Sequence, residues 1–353
     1  MPRDLRLAVA GVGNNISALL QGIAFYRDLR ERTPDAPMPG IRRAVIGGIG
    51  VADVELVAAF DVQPEKVGRD LSVAVLAAPN NYPDLGRPIP DQGVEVAPGL
   101  RRAADGTVEG VDDVTEHLRR SDAEVLLYSL PTGLQWAATA YATAACRAGV
   151  AFVNCTPESV ARDPQTMQQF LDAGVPLIGD DLASHLGTSV VHRSLLALLA
   201  ERGLTLESSY QLNIGGNEDF RNLREQGASK RESKLNALRQ DGVSIEAVEV
   251  IPSAGYVSHL QDNKVAFLNI EGRGWAATPV SIELRLKVQD SSNAAGVIID
   301  LVRVAAAARR LGLGGFVPAA AAQLKSPAGG HVQHPAAAIE ASLTLLDAEP
   351  AAV

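Results

Sequence analysis

The chain has 353 residues, with 32 Lys and Arg against 41 Asp and Glu, for a formal net charge of −9. At ~150 residues per domain this length holds about two domains with full cores, and 46% hydrophobic with 21% charged residues excludes wholesale disorder. The acidic balance offers no basic field to a nucleic-acid backbone, and no run of about 18 apolar residues marks a membrane span. Twenty-six of the basic residues are Arg and only six are Lys: Lys66, Lys230, Lys234, Lys264, Lys287 and Lys325. Where Arg is the default cation, each Lys marks a place where a titratable ammonium can do what a guanidinium cannot.

The first strand is expected over Leu5 to Ala10 and runs into Gly11-Val-Gly13-Asn-Asn15, followed by a helical pattern through Leu19, Leu20, Ile23 and Phe25. An Arg- and Pro-rich stretch, 27–43, precedes a second strand from Val54 to Phe60 that ends at Asp61. Val125 to Leu130 reads as a further strand, then a helix over 134–148 closed by Gly149, a strand from Val150 to Asn154, and a unit from Val175 to Ile178 leading into Gly179-Asp180-Asp181. A helix follows to residue 201. Strands alternating with helices predict a doubly wound parallel sheet. The pattern then changes. Leu204–Ile214, Ala247–Ile251, Val265–Ile270 and Val280–Val288 are strand-like, with a basic helical segment over 219–240, which predicts an open, mainly antiparallel sheet in a second, α+β domain. A long apolar helix from Asn293 to Leu313 returns the chain to the first domain, and the last ~15 residues read as a helix and an acidic tail. The expected division is 1–203 plus 293–353 against an inserted 204–292.

The two cysteines, Cys146 and Cys155, form no CxxC pair and read as reduced thiols. With an N-terminus lacking the apolar core of a signal peptide, this points to a cytoplasmic protein. The six histidines show no metal-ligand spacing; His331 and His334 near the tail are the nearest approach to one.

Gly11 and Gly13 permit a tight strand-to-helix turn at which unpaired N–H groups can meet a diphosphate, although Ile16 stands where the usual third glycine would be. Asp61 just past the second strand can accept from both ribose hydroxyls, which favours NAD over its phosphorylated relative. The separation of Gly13 from Asp61 is more than twice the usual ~20 residues, so an insertion over about 27–50 is expected. Gln211-Leu-Asn213-Ile-Gly-Gly216-Asn217-Glu-Asp219 clusters amides and a carboxylate at a strand end, suited to a polyhydroxylated or phosphorylated ligand, or else to a solvated Gly-Gly turn. Lys230 and Lys234 stand at i and i+4, on one face if helical, where like charges repel unless an anion bridges them. Lys264 follows Asp262-Asn, and Lys325 lies in Leu-Lys-Ser-Pro. Ammonium groups gathered together acquire depressed pKa values and can shuttle protons near neutrality; Lys66 and Lys287 are expected at the surface.

With these pieces assembled, the sequence resembles the myo-inositol-1-phosphate synthase family, in particular its bacterial and archaeal branch. The likeness rests on GVGNNISALLQG (11–22), AAFDV (58–62), GDDLASHLGTSVVHR (179–193), QLNIGGNEDF (211–220), SKRESK (229–234), DNKVAF (262–267), EGRG (271–274), QDSSNAAGVIID (289–300) and LKSP (324–327), in that order. The resemblance implies a Rossmann domain with an inserted catalytic and tetramer-forming domain. It implies an isomerase-class cyclase in which bound NAD oxidises C5 of glucose 6-phosphate, C6 enolises and closes onto C1, and the same cofactor reduces C5 again. By matching position, Lys230, Lys234, Lys264, Lys325, Asp181 and Asp290 would be catalytic. Ser184, Asn213, Gly216, Asn217, Asp219 and Asp262 would bind the sugar phosphate. Gly11, Gly13, Asn14, Asn15, Asp61, Ser129, Asn154 and Asp180 would hold NAD. A divalent metal or monovalent cation occurs in the family, and the sequence assigns it no ligands.

The sequence departs from the family at Ala183, where the family carries Lys, at His185 and Leu186, at Ala228 and at Leu235. These lie in or beside the substrate segments, whereas all four lysines stand. Two alternatives follow: a paralogue that closes fructose 6-phosphate to a five-membered carbocycle of specialised metabolism, and an NAD-binding module without catalysis.

Overall fold

The computed structural model describes residues 4–226, 228–239, 244–330, 340–341, 343–344 and 346–347; His331, His334 and most of the expected C-terminal tail lie outside them. Short apolar runs bounded by glycine and polar turns build the first sheet: β1 (Leu5–Ala10), β2 (Val54–Asp61), β3 (Val96–Pro98), β4 (Val125–Tyr128), β5 (Ala151–Asn154) and β6 (Pro176–Ile178). Their side chains are almost continuously buried, as a parallel sheet covered on both faces requires. The helices of this layer are α1 (Asn14–Arg32), α2 (Val111–Arg120), α3 (Gln135–Ala148), α4 (Pro164–Asp172) and α5 (Thr188–Glu201).

The second layer begins with β7 (Thr205–Gly215), continues through α6 (Glu218–Gln226) and α7 (Ala228–Leu238), and is completed by β8 (Val248–Tyr256), β9 (Asn263–Arg273) and β10 (Pro279–Gln289). The chain returns through α8 (Asp290–Arg310) to β11 (Gly315–Phe316). The strand order of the seven-stranded sheet is β11-β6-β5-β4-β1-β2-β3, with every pairing parallel, so a strand from beyond residue 310 closes a sheet begun at residue 5. Helix α8 is long and apolar enough by length and composition to cross a membrane, yet most of it is buried against α1 and the sheet.

Three differences from the sequence reading have physical causes. Helix α1 continues to Arg32 instead of ending near 26, because Arg27 on its underside donates to the carbonyls of Ala52 (3.0 Å) and Val54 (2.6 Å). The insertion is correspondingly shorter and carries a small hairpin, Val45–Ile46 with Ile49–Gly50. The basic segment expected as one helix is two, α6 and α7. In the second sheet, ordered β8-β7-β9-β10, β8 runs parallel to β7, since the two helices between them form a crossover and not a hairpin. The β7–β9 and β9–β10 pairings are antiparallel.

The insertion is fastened to the core by Arg303 of α8, whose side chain is fully buried. Its guanidinium donates to the carbonyls of Arg43 (3.0 Å), Ala44 (2.9 Å) and Ile299 (3.2 Å) and to Asp300 (2.6 Å). Removing one partner of a buried ion pair strands the other. Arg303→Met is therefore expected to lower unfolding free energy by about 3 to 5 kcal/mol in urea denaturation followed by circular dichroism; an unchanged midpoint would remove Arg303 from this role.

Candidate active site

The carboxyl ends of β1, β2 and β4 and the polar ends of β7 and β9 face one cavity of ≈ 330 Å³. In open α/β sheets this crevice, where the strand order reverses between β1 and β4, is where ligands sit. One wall belongs to the glycine turn. Gly11 has φ +90°, and a Cβ there would lie 2.7 Å from the Ser129 carbonyl oxygen, so only glycine lets the turn approach β4 this closely. Asp61 holds the turn from the next strand: one carboxylate oxygen accepts from the Val12 N–H (2.8 Å), the other from the N–H groups of Val62 (2.7 Å) and Gln63 (2.9 Å). Asn15 donates to Ser129 Oγ at 3.0 Å. The N–H groups of Gly13, Asn14 and Asn15, at the start of α1, have no partner among the described residues. Unpaired N–H groups, a turn that admits no Cβ, and a carboxylate at the β2 end fit the diphosphate and ribose of a dinucleotide.

The opposite wall gathers the lysines. Helix α7 presents Lys230 and Lys234 one turn apart; Lys264 comes from β9 and Lys325 from the chain beyond β11. Asp181, buried and with φ +57°, anchors two of them: Lys325 donates to it at 2.9 Å and Lys230 at 3.3 Å, while the Ser233 hydroxyl donates at 2.6 Å. Lys264 pairs with Asp290 at 3.1 Å, and Asn217 donates to the other Asp290 oxygen at 3.4 Å. Lys234 is buried, and its Nζ has no hydrogen-bond partner among the described residues.

Two unit charges ~6 Å apart repel by about 3 kcal/mol at an effective dielectric near 20, which far exceeds the few tenths that an exposed helix pair is worth. The lysines cannot all stay equally charged. Burial together with Lys264, Lys325 and Lys230 pushes Lys234 well below the ordinary lysine range. Burial opposes the charge of Lys230 too, yet Asp181, Asp219 and Asp290 hold it above that range, against the expectation that clustering depresses every member. Burial, only partly offset by Asp181, brings Lys325 down to about 8. Burial alone would raise Asp181, but Lys230 and Lys325 hold it below the usual carboxylate range. The cavity therefore offers a fixed cation, an amine near its titration point and an amine poor in protons.

Among the expected residues, Gly11, Gly13, Asn14, Asn15, Asp61, Ser129, Asp181, Ser184, Asn217, Asp219, Asp290 and the four lysines line this cavity. Five others do not. Asn154 and Asp180 lie beneath it and bond to each other (2.8 Å), with Asp180 also held by Arg162 (3.2 Å) and the Ala161 N–H (3.0 Å). Asn213 spends its carboxamide on Thr188 Oγ1 (2.8 Å) and the Ile251 carbonyl (3.0 Å). Gly216 admits the Val257 carbonyl, which a Cβ would meet at 2.5 Å. Asp262 sits behind the wall, accepting from Asn14 (3.0 Å) and from the hydroxyl (2.6 Å) and N–H (3.0 Å) of Ser291. Asn154, Asp180, Asn213 and Asp262 are interior polar groups satisfied by protein, and Gly216 is a position of close backbone packing.

The sequence reading missed other lining residues. Lys66, expected at the surface, is buried in the cavity wall; Lys287 is exposed as expected. Thr132 donates to Asp219 at 3.1 Å. Gly187, Thr188 and Ser189 bring the N-terminus of α5 to the cavity, an arrangement foreseeable from the glycine before an apolar helical run. Ala183 also lines it, and the His185 ring packs on Gly296 of α8. The side chains of Ala228 and Ser229 lie outside the described residues. Among the described residues no group of three His, Cys, Asp or Glu side chains is placed to hold a metal ion.

Residues 187–291 match the family model for myo-inositol-1-phosphate synthase. The chain is 41% identical to inositol-3-phosphate synthase of Mycolicibacterium smegmatis over 342 residues, covering 92% of this chain and 93% of that protein. It is 39% identical to inositol-3-phosphate synthase of Corynebacterium glutamicum, with 92% and 93% covered. Among solved structures it superposes on the crystal structure of Ari2 with a TM-score of 0.87 at 63% identity, over 98% of both chains. A myo-inositol-1-phosphate synthase-related protein of Thermotoga maritima shares the fold at a TM-score of 0.76 and 23% identity, over 99% of this chain and 100% of that one.

Asp262 yields a test of the geometry. Burial raises its carboxyl from 3.8 to about 6. A carboxyl with a raised folded-state pKa makes the native state take up a proton between about 4 and 6, so stability falls as pH rises through that window. At about 1.4 kcal/mol per unit the loss is about 3 kcal/mol. Urea midpoints are expected to decline from pH 4 to 7 more steeply in the wild type than in Asp262→Asn; equal slopes would rule out an ionising Asp262.

Proposed function

Since the chain belongs to the myo-inositol-1-phosphate synthase family, we propose that it cyclises glucose 6-phosphate to myo-inositol 1-phosphate, with NAD held and recycled in the same cavity. The observation that carries this reading is the meeting, in one cavity, of the glycine turn with four lysines, three of them anchored on Asp181 and Asp290 and the fourth, Lys234, without a partner among the described residues. Gly11, Gly13, Asn14, Asn15, Asp61 and Ser129 would hold the dinucleotide. Bound there, NAD would supply a hydride acceptor at C5 of the sugar and the hydride donor for its later reduction, so no net oxidation would accumulate.

The remaining steps are proton transfers and one C–C bond. With C5 a ketone, the C6 protons are acidified, and Lys234, deprived of proton affinity by burial and its neighbours, removes one. Lys230, fixed in its charged form by Asp181, stabilises the enolate oxygen. C6 then bonds to C1, and the former aldehyde oxygen takes a proton from Lys325, whose pKa of about 8 suits an acid near neutrality. One proton leaves C6 and one arrives at O1, so the closure is balanced. Lys264, paired with Asp290, and the side chains of Asn217 and Asp219 orient the hydroxyls. Ser184 and the N-terminus of α5 receive the phosphate.

Ala183 supports a second reading. It lines the cavity where the family resemblance expects a lysine, leaving one ammonium fewer and more room beside Lys325. In that space fructose 6-phosphate would close from C6 onto the C2 ketone, giving a five-membered ring by the same steps. We also take the outward face of the second sheet, where Tyr210, Ile251 and Phe267 are exposed, as the surface of a homotetramer.

Purified protein incubated with each sugar phosphate should give an isomer of unchanged mass, a carbocycle by NMR, and no accumulating absorbance of reduced cofactor. A six-membered ring from glucose 6-phosphate supports the first reading and a five-membered ring from fructose 6-phosphate the second. A linear or oxidised product, or inactivity with both, sinks the cyclase. Lys234→Ala is expected to abolish turnover, by at least 100-fold, while NAD remains bound. The wild-type kcat should fall as pH rises through about 8, where Lys325 loses its proton; a flat alkaline limb would remove Lys325 as the acid.

A further inference from the structure

Lys66 follows β2 by five residues and reaches back to the glycine turn. Its Nζ donates to the Val12 carbonyl at 2.7 Å and to Asn80 Oδ1 at 2.9 Å, and the side chain is 2% exposed. No carboxylate among the described residues stands within ion-pair distance, although Asp61 and Glu65 are near enough to oppose the penalty of burial. A buried cation with only neutral acceptors is costly unless an anion compensates it. Val12 is also held at both of its backbone groups: Asp61 accepts from the Val12 N–H and Lys66 donates to the Val12 C=O. Because a trans peptide sets C=O and N–H on opposite sides, fixing this carbonyl turns the Gly13 N–H away from Lys66. That N–H has no partner among the described residues. Asn80 completes the clamp by donating to the same Val12 carbonyl at 3.0 Å.

We propose that Lys66 is a cofactor-positioning residue, which fixes the glycine turn with Gly13 N–H free for the dinucleotide's diphosphate and adds a positive charge behind the turn, across the peptide from that diphosphate. The inference rests on the NAD reading above and adds to it a residue outside the turn motif. It accounts for a lysine here, since a compact ammonium can donate to the Val12 carbonyl and to Asn80 Oδ1 from one atom, whereas a guanidinium spreads its donors over a planar fork.

The test measures binding to the full chain stripped of nucleotide, by calorimetry, for NAD, ADP-ribose and adenosine. Lys66→Met and Lys66→Gln both remove the charge, and Gln keeps an N–H donor; should either fail to fold, the other carries the comparison. Both are expected to weaken NAD and ADP-ribose by at least tenfold while adenosine changes less than twofold. Raising salt should erode NAD affinity more in the wild type than in the variants. Equal losses for all three ligands would make Lys66 a scaffold residue of the turn, and no loss would remove it from the cofactor site; either overturns the proposal. Wild-type protein that binds none of the three would instead overturn the NAD reading itself.

Discussion

The site depends on the carboxylate of Asp181, held between the ammonium groups of Lys230 and Lys325. The two lysines come from separate parts of the chain, α7 of the inserted layer and the segment that returns after β11. The backbone adds to the same junction: the Asp181 carbonyl accepts from the Lys325 N–H at 2.7 Å, and the Asp181 N–H donates to Thr156 at 2.8 Å. With the positive φ of Asp181 over-determined in this way, strain at one residue is tolerated because four partners fix it. Remove the carboxylate and two buried ammonium groups face each other without an intervening anion, beside a third and a fourth.

A second junction runs between the layers. Asn14 at the glycine turn donates to Asn81 (2.7 Å) and to Asp262 (3.0 Å), and its carbonyl oxygen accepts from the Asn81 and Tyr82 N–H groups. Asn81 goes on to the Gly216 carbonyl at 2.9 Å. These contacts set the glycine turn in register with the starts of β9 and α6, which carry Lys264 and Asp219. Short-range hydrogen bonds therefore bring together two walls of one cavity that the sequence separates by some two hundred residues.

Much of this was legible in the residues. Gly11, Gly13 and Asp61 announce a tight strand-to-helix turn because their chemistry is local, and the alternation of apolar runs with helical periodicity gives the parallel sheet. The four lysines stood out through the rarity of Lys beside Arg. What escaped depended on burial. Asn154, Asp180 and Asn213 are as polar as Asn217, and nothing in their spacing tells that neighbouring elements consume their hydrogen bonds. Lys66 lies in an ordinary polar loop after β2, and only the fold turns it inward. The opposite shifts of Lys230 and Lys234, one turn apart on α7, could not be separated by sequence either: Lys230 is paired with Asp181, whereas Lys234 is buried beside three lysines that only Asp290 opposes.

The connection of β11 and α8 also bears on how the chain is made. Residues up to 203 leave the ribosome carrying most of a parallel sheet, but they lack both its closing edge strand and the helix that buries one of its faces. The whole inserted layer must be synthesised before α8 emerges to cover that face. Nascent chains of intermediate length thus expose a broad apolar surface and an unpaired β6 edge, the two features that invite aggregation. The insertion that assembles the lysine cavity also sets the interval during which the first sheet remains uncovered, and any lengthening of the second layer would extend it.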